Sequence, residues 1–333
     1  SGVQAAEMAG YGNGKALILA PRFMELKDKP SNGTIWWNGS YPEGCWRCGA
    51  ESDPRASGGF GSYTVSSFGV LDTMIRALAA AVESGALPNL KRVVLAGHSS
   101  GGQIIQRHAI FTRLPLPNKP LPFHVRHVPA NPSSYAYLTP KRWKGLLAGS
   151  SDRLALPNAS MQQSCPTYDD WHFGLSSRLP PYVRDVPGGV QSAISKFFDR
   201  DVIYLQGHND TCDCNKKDDA SCQCVSHGLE TTCSDELMGR YRLQRGRLYF
   251  AMLKAVAGKE VHSMYEVPNV GHDHSMIWQS KEGLKAIFGG SSAAPLPSPP
   301  SAPPGLPAFE FSTDDPTSLS EHHRFGLTFG KQF

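Results

Sequence analysis

The sequence predicts an α/β fold, with a mostly parallel central sheet flanked by helices, a cap-like insertion and a disulfide-rich loop. Three observations predict it. Short apolar runs alternate with segments of helical periodicity, as strand–helix–strand units require. One run, residues 92–96 (RVVLA), leads through a glycine-rich turn directly into a helical segment. Five of the eight cysteines crowd between Cys212 and Cys233.

The elements follow in chain order. Residues 16–20 (ALILA) are a short apolar run ended by Pro21, the pattern of a buried parallel strand. Glycine and proline dominate residues 30–61, with Trp36, Trp37 and Trp46 interleaved, which reads as a long surface loop. Phe68, Leu71, Ile75, Leu78 and Val82 recur at helical spacing, and Gly85 marks the stop. Further strands are expected at 92–96, 124–128, 201–205 (DVIYL) and 260–267, and helices at 101–112, 235–256 and 273–288. Residues 129–200 carry proline-rich and aromatic-rich turns and read as an insertion, a candidate cap or lid. Residues 291–307 hold 7 of the 26 prolines, the composition of an extended linker. The expected organisation is one domain over 1–290, with the insertion at 129–200 and a Cys-rich loop at 211–234. A linker and Phe-rich tail over 291–333 follow.

Composition excludes several classes. With 40% hydrophobic and 19% charged residues, the 333-residue chain can bury a core. Its 33 Lys and Arg are scattered and the net charge is only +4, which argues against a nucleic-acid partner. No stretch of 18 apolar residues exists, so no transmembrane segment is expected. Residues 1–14 are small and polar, as in a mature form without a secretory leader. An even, clustered set of cysteines points to disulfides and an oxidising compartment. Sequons at Asn32, Asn38, Asn158 and Asn209 point the same way, to a secreted glycoprotein.

The chemistry is concentrated in Gly97-His98-Ser99-Ser100-Gly101, a G-x-S-x-G turn between an apolar strand and a helix. A serine there projects from a tight turn, and glycines at either side remove the Cβ atoms that would collide. The Ser100 N–H, at the start of the helix, can donate to a developing oxyanion. A serine nucleophile needs a base and an acid that orients it. Asp210 lies just past the 201–205 strand and is the expected acid, with Asp213 and Asp201 as alternatives. His272, after the last strand, is the expected base, with His274 as the alternative. A metal site on His272, Asp273 and His274 is disfavoured, because i, i+2 ligands do not share a helix face. No cofactor is implied.

On GHSSG around Ser99, GHND ending at Asp210, and VGHDHS around His272, the chain resembles the α/β-hydrolase superfamily from residue 16 to about 288. The segments LAGHSSGGQIIQRHA, ANPSSY and GRYRLQRGRLYF are similar to a group of fungal, plant and algal hydrolases. The resemblance implies a carboxylic ester hydrolase acting on a small-molecule or polymer ester through an acyl-enzyme. Ser99 would be nucleophile, His272 base and Asp210 its orienting acid. Amidase, thioesterase and lactonase activities would use the same residues. An impaired hydrolase fold that binds extracellular matrix or cell wall is the alternative of another class. Members of the superfamily carry an oxyanion-hole loop after an early strand. Here 16–20 stands where the following strand belongs, so either the strands before it are absent from this chain, or the loop Pro21-Arg22-Phe23-Met24 supplies the second donor, from Phe23 or Met24, beside Ser100.

Other constellations read as structural. Cys45-Trp-Arg-Cys48 lies in a Gly/Pro loop and not at a helix start, unlike a redox C-x-x-C. Two C-x-C pairs, Cys212/Cys214 and Cys222/Cys224, match zinc spacing poorly and favour disulfides, including one within 212–233. The tryptophans with Tyr63 either pack on the sheet or line a groove. Residues 168–174 (YDDWHFG) are either a lid or a packed turn. Arg240, Arg242, Arg245 and Arg247 read as a solvated or salt-bridged helix face.

Removal of residues 291–333 is expected to leave the remaining domain folded, since prolines there cannot donate backbone hydrogen bonds. Differential scanning of full-length and truncated protein checks this. A fall in Tm of more than about 5 °C would make the tail part of the fold.

Overall fold

The computed structural model describes residues 2–12, 15–57, 63–144, 153–212 and 228–289. The 291–333 tail, Asp213, and Cys214, Cys222 and Cys224 of the Cys-rich loop lie outside the described residues.

The chain opens with α1 (Gly2–Met8) and a parallel pair, β1 (Met24–Glu25) with β2 (Trp36–Trp37). A 3-10 turn follows at Trp46–Cys48, then α2 (Ser67–Glu83), β3 (Arg92–His98), α3 (Ser100–Phe111) and β4 (His124–Ala130). A small antiparallel pair, β5 (Arg142–Trp143) and β6 (Leu154–Ala155), precedes α4 (Ala159–Ser164), α5 (Pro181–Arg184) and α6 (Gly189–Phe198). The chain continues through β7 (Asp201–Gly207), α7 (Cys233–Glu236), α8 (Arg242–Ala257) and β8 (Ser263–Val267). It closes with α9 (His274–Gln279) and α10 (Lys281–Phe288).

The central sheet is wholly parallel, in the order β3-β4-β7-β8. Strand β7 is an apolar run because both of its faces are covered. On β7, Val202 and Tyr204 enter one core cluster with α3, α6 and α8, while Ile203 and Leu205 enter another with α9 and α10. That alternation is the period-two geometry of a strand. Helix α2 buries Phe68, Leu71, Ile75 and Ala79 along one stripe, and Ser66 caps it by accepting from the Phe68 N–H. Guanidinium groups close the helix ends. Arg92 donates to the carbonyls of Phe288 and Gly289, and Arg126 to those of Ala286 and Gly289, at the C-terminus of α10. Arg200 does the same for α3 through Ala109, Ile110 and Thr112. Positive charge is favourable at that end of a helix.

Several expectations are corrected. Residues 16–20 form no strand: Leu17 and Ile18 are 60% and 46% exposed, and no neighbouring strand pairs with them among the described residues. The 235–256 helix is two helices, interrupted where Gly239 takes φ 139° and its carbonyl accepts from Arg245 Nε. The 273–288 helix breaks at Ser280, which ends α9 and caps α10 by accepting from the Gly283 N–H. The insertion expected over 129–200 contributes Tyr135, Tyr137, Trp143, Trp171, Tyr182 and Phe197 to the principal core. The arginine face of 240–247 is salt-bridged, as one of the two readings had it, but Arg242 and Arg245 make their pairs, with Asp210 and Asp235, while 1% and 0% exposed; Arg247 makes a surface pair with Glu266 at 2.6 Å. Two disulfides are described, Cys45–Cys48 and Cys165–Cys233. Cys233 therefore pairs with a cysteine outside the 212–233 cluster. No described helix is long and apolar enough to cross a membrane.

Burial leaves a set of histidines neutral. His127 and His172 are held well below the ordinary imidazole range, and His262 is pushed down to about 4, in each case first by desolvation. The unfolded chain protonates these groups near pH 6.5 while the native state does not, so unfolding takes up protons below that pH. Asp235, pushed up to about 6 by burial, acts in the opposite sense with a single proton. Stability is expected to fall as pH is lowered from about 6.5 towards 4, the sign set by the histidines. Urea unfolding at pH 7.5 and pH 5 checks it; equal stability at the two values would contradict neutral burial.

Candidate active site

Ser99 occupies the turn between β3 and α3 with φ 56° and ψ −115°, a conformation that an L-residue holds only when its surroundings impose it. Two backbone bonds do so: the Ser99 N–H donates to the Ala130 carbonyl at 2.9 Å, and its carbonyl accepts from the Gln103 N–H at 3.0 Å. A Cβ on Gly97 would stand 2.3 Å from the Gly101 carbonyl oxygen, and one on Gly102 2.5 Å from that of Ala130. Glycine is required at both positions for strand and helix to approach this closely.

Asp210 and His272 meet from separate loops. His272 Nδ1 is 2.7 Å from Asp210 Oδ2, and both side chains are largely buried. With the carboxylate accepting, Nδ1 carries the proton and Nε2 presents its lone pair. Asp210 follows β7 closely. Its N–H donates to the Gly207 carbonyl, and its own carbonyl accepts from the Leu243 N–H at the start of α8. The turn is tight because Gly207 lies against the loop of His272: a Cβ there would meet the Gly271 oxygen at 2.4 Å.

Asn131, which sequence reasoning did not assign a role, ties these loops together. Its Nδ2 donates to Asp210 Oδ2 at 2.7 Å and to the Gly271 carbonyl at 3.3 Å, while its Oδ1 accepts from the Gly207 N–H at 3.0 Å. The residue is fully buried with φ 44°, a conformation that asparagine tolerates better than most. Arg242 stands 3.8 Å from the other Asp210 oxygen. The only sequence signal for Asn131 was its place in the ANPSSY segment directly after a strand.

Ser99 and His272 both line a cavity of about 610 Å³, with Arg47, His98, Ser100, Gln103, Ser133, Gly228, Glu230, Asp273 and His274 completing its wall. His98 lies against His272, ring centroids 4.5 Å apart, and is pushed down to about 3 by burial and then by His272. It is a neutral wall beside the imidazole. Asp273 caps α9 by accepting from the Met276 N–H, which fixes the backbone after His272. His274, the alternative base, begins α9 and borders the same cavity. Asp201, one alternative acid, stands at the far end of β7, engaged by Arg126 and His124 at 2.7 Å each.

The Ser100 N–H is the first amide of α3, one of the donors that helix geometry leaves without an intrahelical acceptor. Phe23 and Met24 are not part of the cavity wall. Phe23 stacks on Trp46 at 5.3 Å, and Met24 pairs with Trp36 between β1 and β2. The nearby structure that does reach the cavity is the Trp46–Cys48 turn, through Arg47, whose Nη1 donates to Ser100 Oγ at 3.3 Å. Trp36 and Trp37 are buried, which makes them packing residues, and Trp171 Nε1 donates to the Cys48 carbonyl at 2.7 Å.

No protein-family model matches the chain, and no curated protein matches it in sequence. Among solved structures it is similar to poly(aspartic acid) hydrolase-1 from Sphingomonas sp. KT-1, at 19% identity over 65% of this chain and 61% of that one, with a TM-score of 0.41. It is also similar to a poly(3-hydroxybutyrate) depolymerase from Bordetella parapertussis, at 18% identity over 65% of this chain and 56% of that one, with a TM-score of 0.42. The chain thus spans less than two thirds of either structure.

Asn131→Ala is expected to destabilise the fold by about 2–4 kcal/mol, since it strands several buried polar partners. The urea midpoint, measured at pH 7.5, checks this; an unchanged midpoint would mean that the two loops do not depend on Asn131.

Proposed function

We propose that the chain is a serine hydrolase of carboxylic esters. The observation that carries this reading is a single cavity containing Ser99, on a positive-φ strand–helix turn, and His272, bonded through Nδ1 to buried Asp210. Ser99 Oγ attacks the ester carbonyl while His272 Nε2 takes the hydroxyl proton. The Ser100 N–H stabilises the oxyanion of the tetrahedral intermediate. His272 returns the proton to the leaving alkoxide, the alcohol departs, and Ser99 remains acylated. Water then attacks the acyl carbon, His272 takes its proton and passes it to Ser99, and the acid is released. Asp210 holds the imidazole in the required tautomer and balances its transient charge. Asn131 holds Asp210 in place through its Nδ2, and Arg242 lies 3.8 Å from the other carboxylate oxygen. The two disulfides support an oxidising, extracellular location for this chemistry.

A fluorophosphonate probe is expected to label Ser99, and Ser99→Ala to lower kcat/KM on 4-nitrophenyl acetate by roughly 10⁴-fold or more. Mass spectrometry locates the adduct. A label on another residue, or undiminished turnover by Ser99→Ala, would sink the assignment.

A further inference from the structure

The turn at Trp46–Cys48 is held more firmly than three loop residues need to be. Its ends are joined by the Cys45–Cys48 disulfide. All three of its carbonyls are taken by side chains from other elements: Trp46 by Ser67 Oγ at 2.6 Å, Arg47 by Arg107 at 3.1 Å, and Cys48 by Trp171 at 2.7 Å. Arg107 is itself fully buried and anchored on Gln103 and Ser134, so the turn is bolted to α3. With its backbone so committed, the turn presents one polar group to the cavity, the Arg47 guanidinium.

That guanidinium is fixed but not saturated. It lies over the rings of Tyr41 and Trp46, at 5.0 and 5.8 Å, and its side chain is 19% exposed. Nη1 reaches Ser100 Oγ at 3.3 Å, while Nε is buried with no hydrogen-bond partner among the described residues. Its acidic neighbour is Glu230, whose Oε1 is 3.8 Å from Nη2, too long for a hydrogen bond. The same Glu230 oxygen accepts from the Tyr41 hydroxyl at 3.0 Å. A carboxylate therefore already rests between two donors, Arg47 and Tyr41, on a cavity wall. Asp273, the other acid on that wall, is exposed and engaged in capping α9.

Resting on the ester-hydrolase reading, we propose that the cavity selects acyl groups bearing a carboxylate, and that Arg47 binds that carboxylate in place of Glu230. The substrate class is then the half-esters of dicarboxylic acids, or ester chains with acidic side groups. Arginine suits the task because its planar fork binds carboxylates through two parallel N–H bonds. Glu230 holds that position beside Arg47 and Tyr41 and is displaced when substrate enters.

The test compares mono-4-nitrophenyl esters of glutaric, adipic and suberic acids with uncharged isosteres in which an isopropyl group replaces the carboxylate. The readout is the ratio of the two kcat/KM values. For the best-fitting chain length the ratio is expected to be at least about tenfold in the wild type. It should collapse towards one in Arg47→Met, persist in part in Arg47→Lys, and rise in Glu230→Gln. A ratio unmoved by any of the three variants would overturn the proposal. So would an equal slowing of both substrates in Arg47→Met, which would place Arg47 at the oxyanion instead. A binding arm keeps this inference apart from the one beneath it. Monomethyl adipate, titrated onto Ser99→Ala by calorimetry, is expected to bind about tenfold more weakly when Arg47→Met is added. Arg47-dependent binding without turnover of any ester would refute the hydrolase reading and leave the carboxylate site standing. Turnover of the uncharged esters without Arg47-dependent binding would do the reverse.

Discussion

Where β3 meets α3, the backbone leaves no room for side chains, and the site depends on that contact. Gly97 and Gly102 admit no Cβ, and across the sheet Gly207 is equally tight against Gly271. These approaches draw the carboxyl ends of four neighbouring strands into one edge. Ser99 follows β3 directly and Asn131 follows β4, while Asp210 and His272 lie three and five residues past β7 and β8. A parallel sheet turns such positions, far apart in sequence, into neighbours. The strain at Ser99, of order 1–3 kcal/mol, is borne by the same packing. A side chain added at Gly97 would therefore disturb Ser99 and the start of α3 together.

Around this edge, long irregular segments are buried, which is unusual because loop carbonyls lack ladder partners. Buried guanidinium groups supply them. Arg142 donates to the carbonyls of Thr139, Tyr168 and Phe173, and Arg245 to those of Ser133, Glu230 and Gly239. Each also meets an acid, Asp169 or Asp235. Deleting one partner of a buried pair leaves an uncompensated charge, which typically costs about 3–5 kcal/mol. These arginines serve as spacers that hold loops at fixed depth, including the two loops that end at Ser133 and Glu230 on the cavity wall.

The sheet was legible where a strand is covered on both faces and reads as an apolar run; DVIYL at β7 is the plainest case. Residues 16–20 satisfy the same pattern yet are exposed, since composition does not say what covers a run. Helix breaks at 237–241 and Ser280 were hidden because apolar periodicity does not register the local contacts that accompany them: Arg245 on the Gly239 carbonyl, and the Ser280 cap with Gly283 close beneath Ile277. Ser99, Asp210 and His272 could be nominated from local spacing, and the fold brings those three together. Asn131 could not, because its role lies in bonds to residues 76 and 79 positions away. The burial of Arg242 and Arg245 was missed for a related reason. Charge density along a helix suggests solvent, whereas Arg242 meets Ser133 and Asp210, and Arg245 meets Ser133 and Glu230 besides the nearer Asp235 and Gly239.

The cavity is thus built in two unlike ways. Its sheet side is positioned by strand register, which fixes side chains through a continuous ladder of backbone bonds. Its other side, with Arg47 and Glu230, comes from segments that have almost no regular structure. There, covalent closure replaces the ladder: Cys45–Cys48 brackets Arg47, and Cys165–Cys233 anchors the chain three residues beyond Glu230. Side-chain bonds to every carbonyl of the Arg47 turn complete the anchoring. The two constructions respond differently to substitution. Changing a sheet-side residue disturbs packing on the face its side chain enters. Changing the exposed end of Arg47 or Glu230 leaves the disulfides and carbonyl anchors in place. Ser99, Asp210 and His272 therefore sit on the side that tolerates little change, and Arg47 and Glu230 on the side that tolerates more.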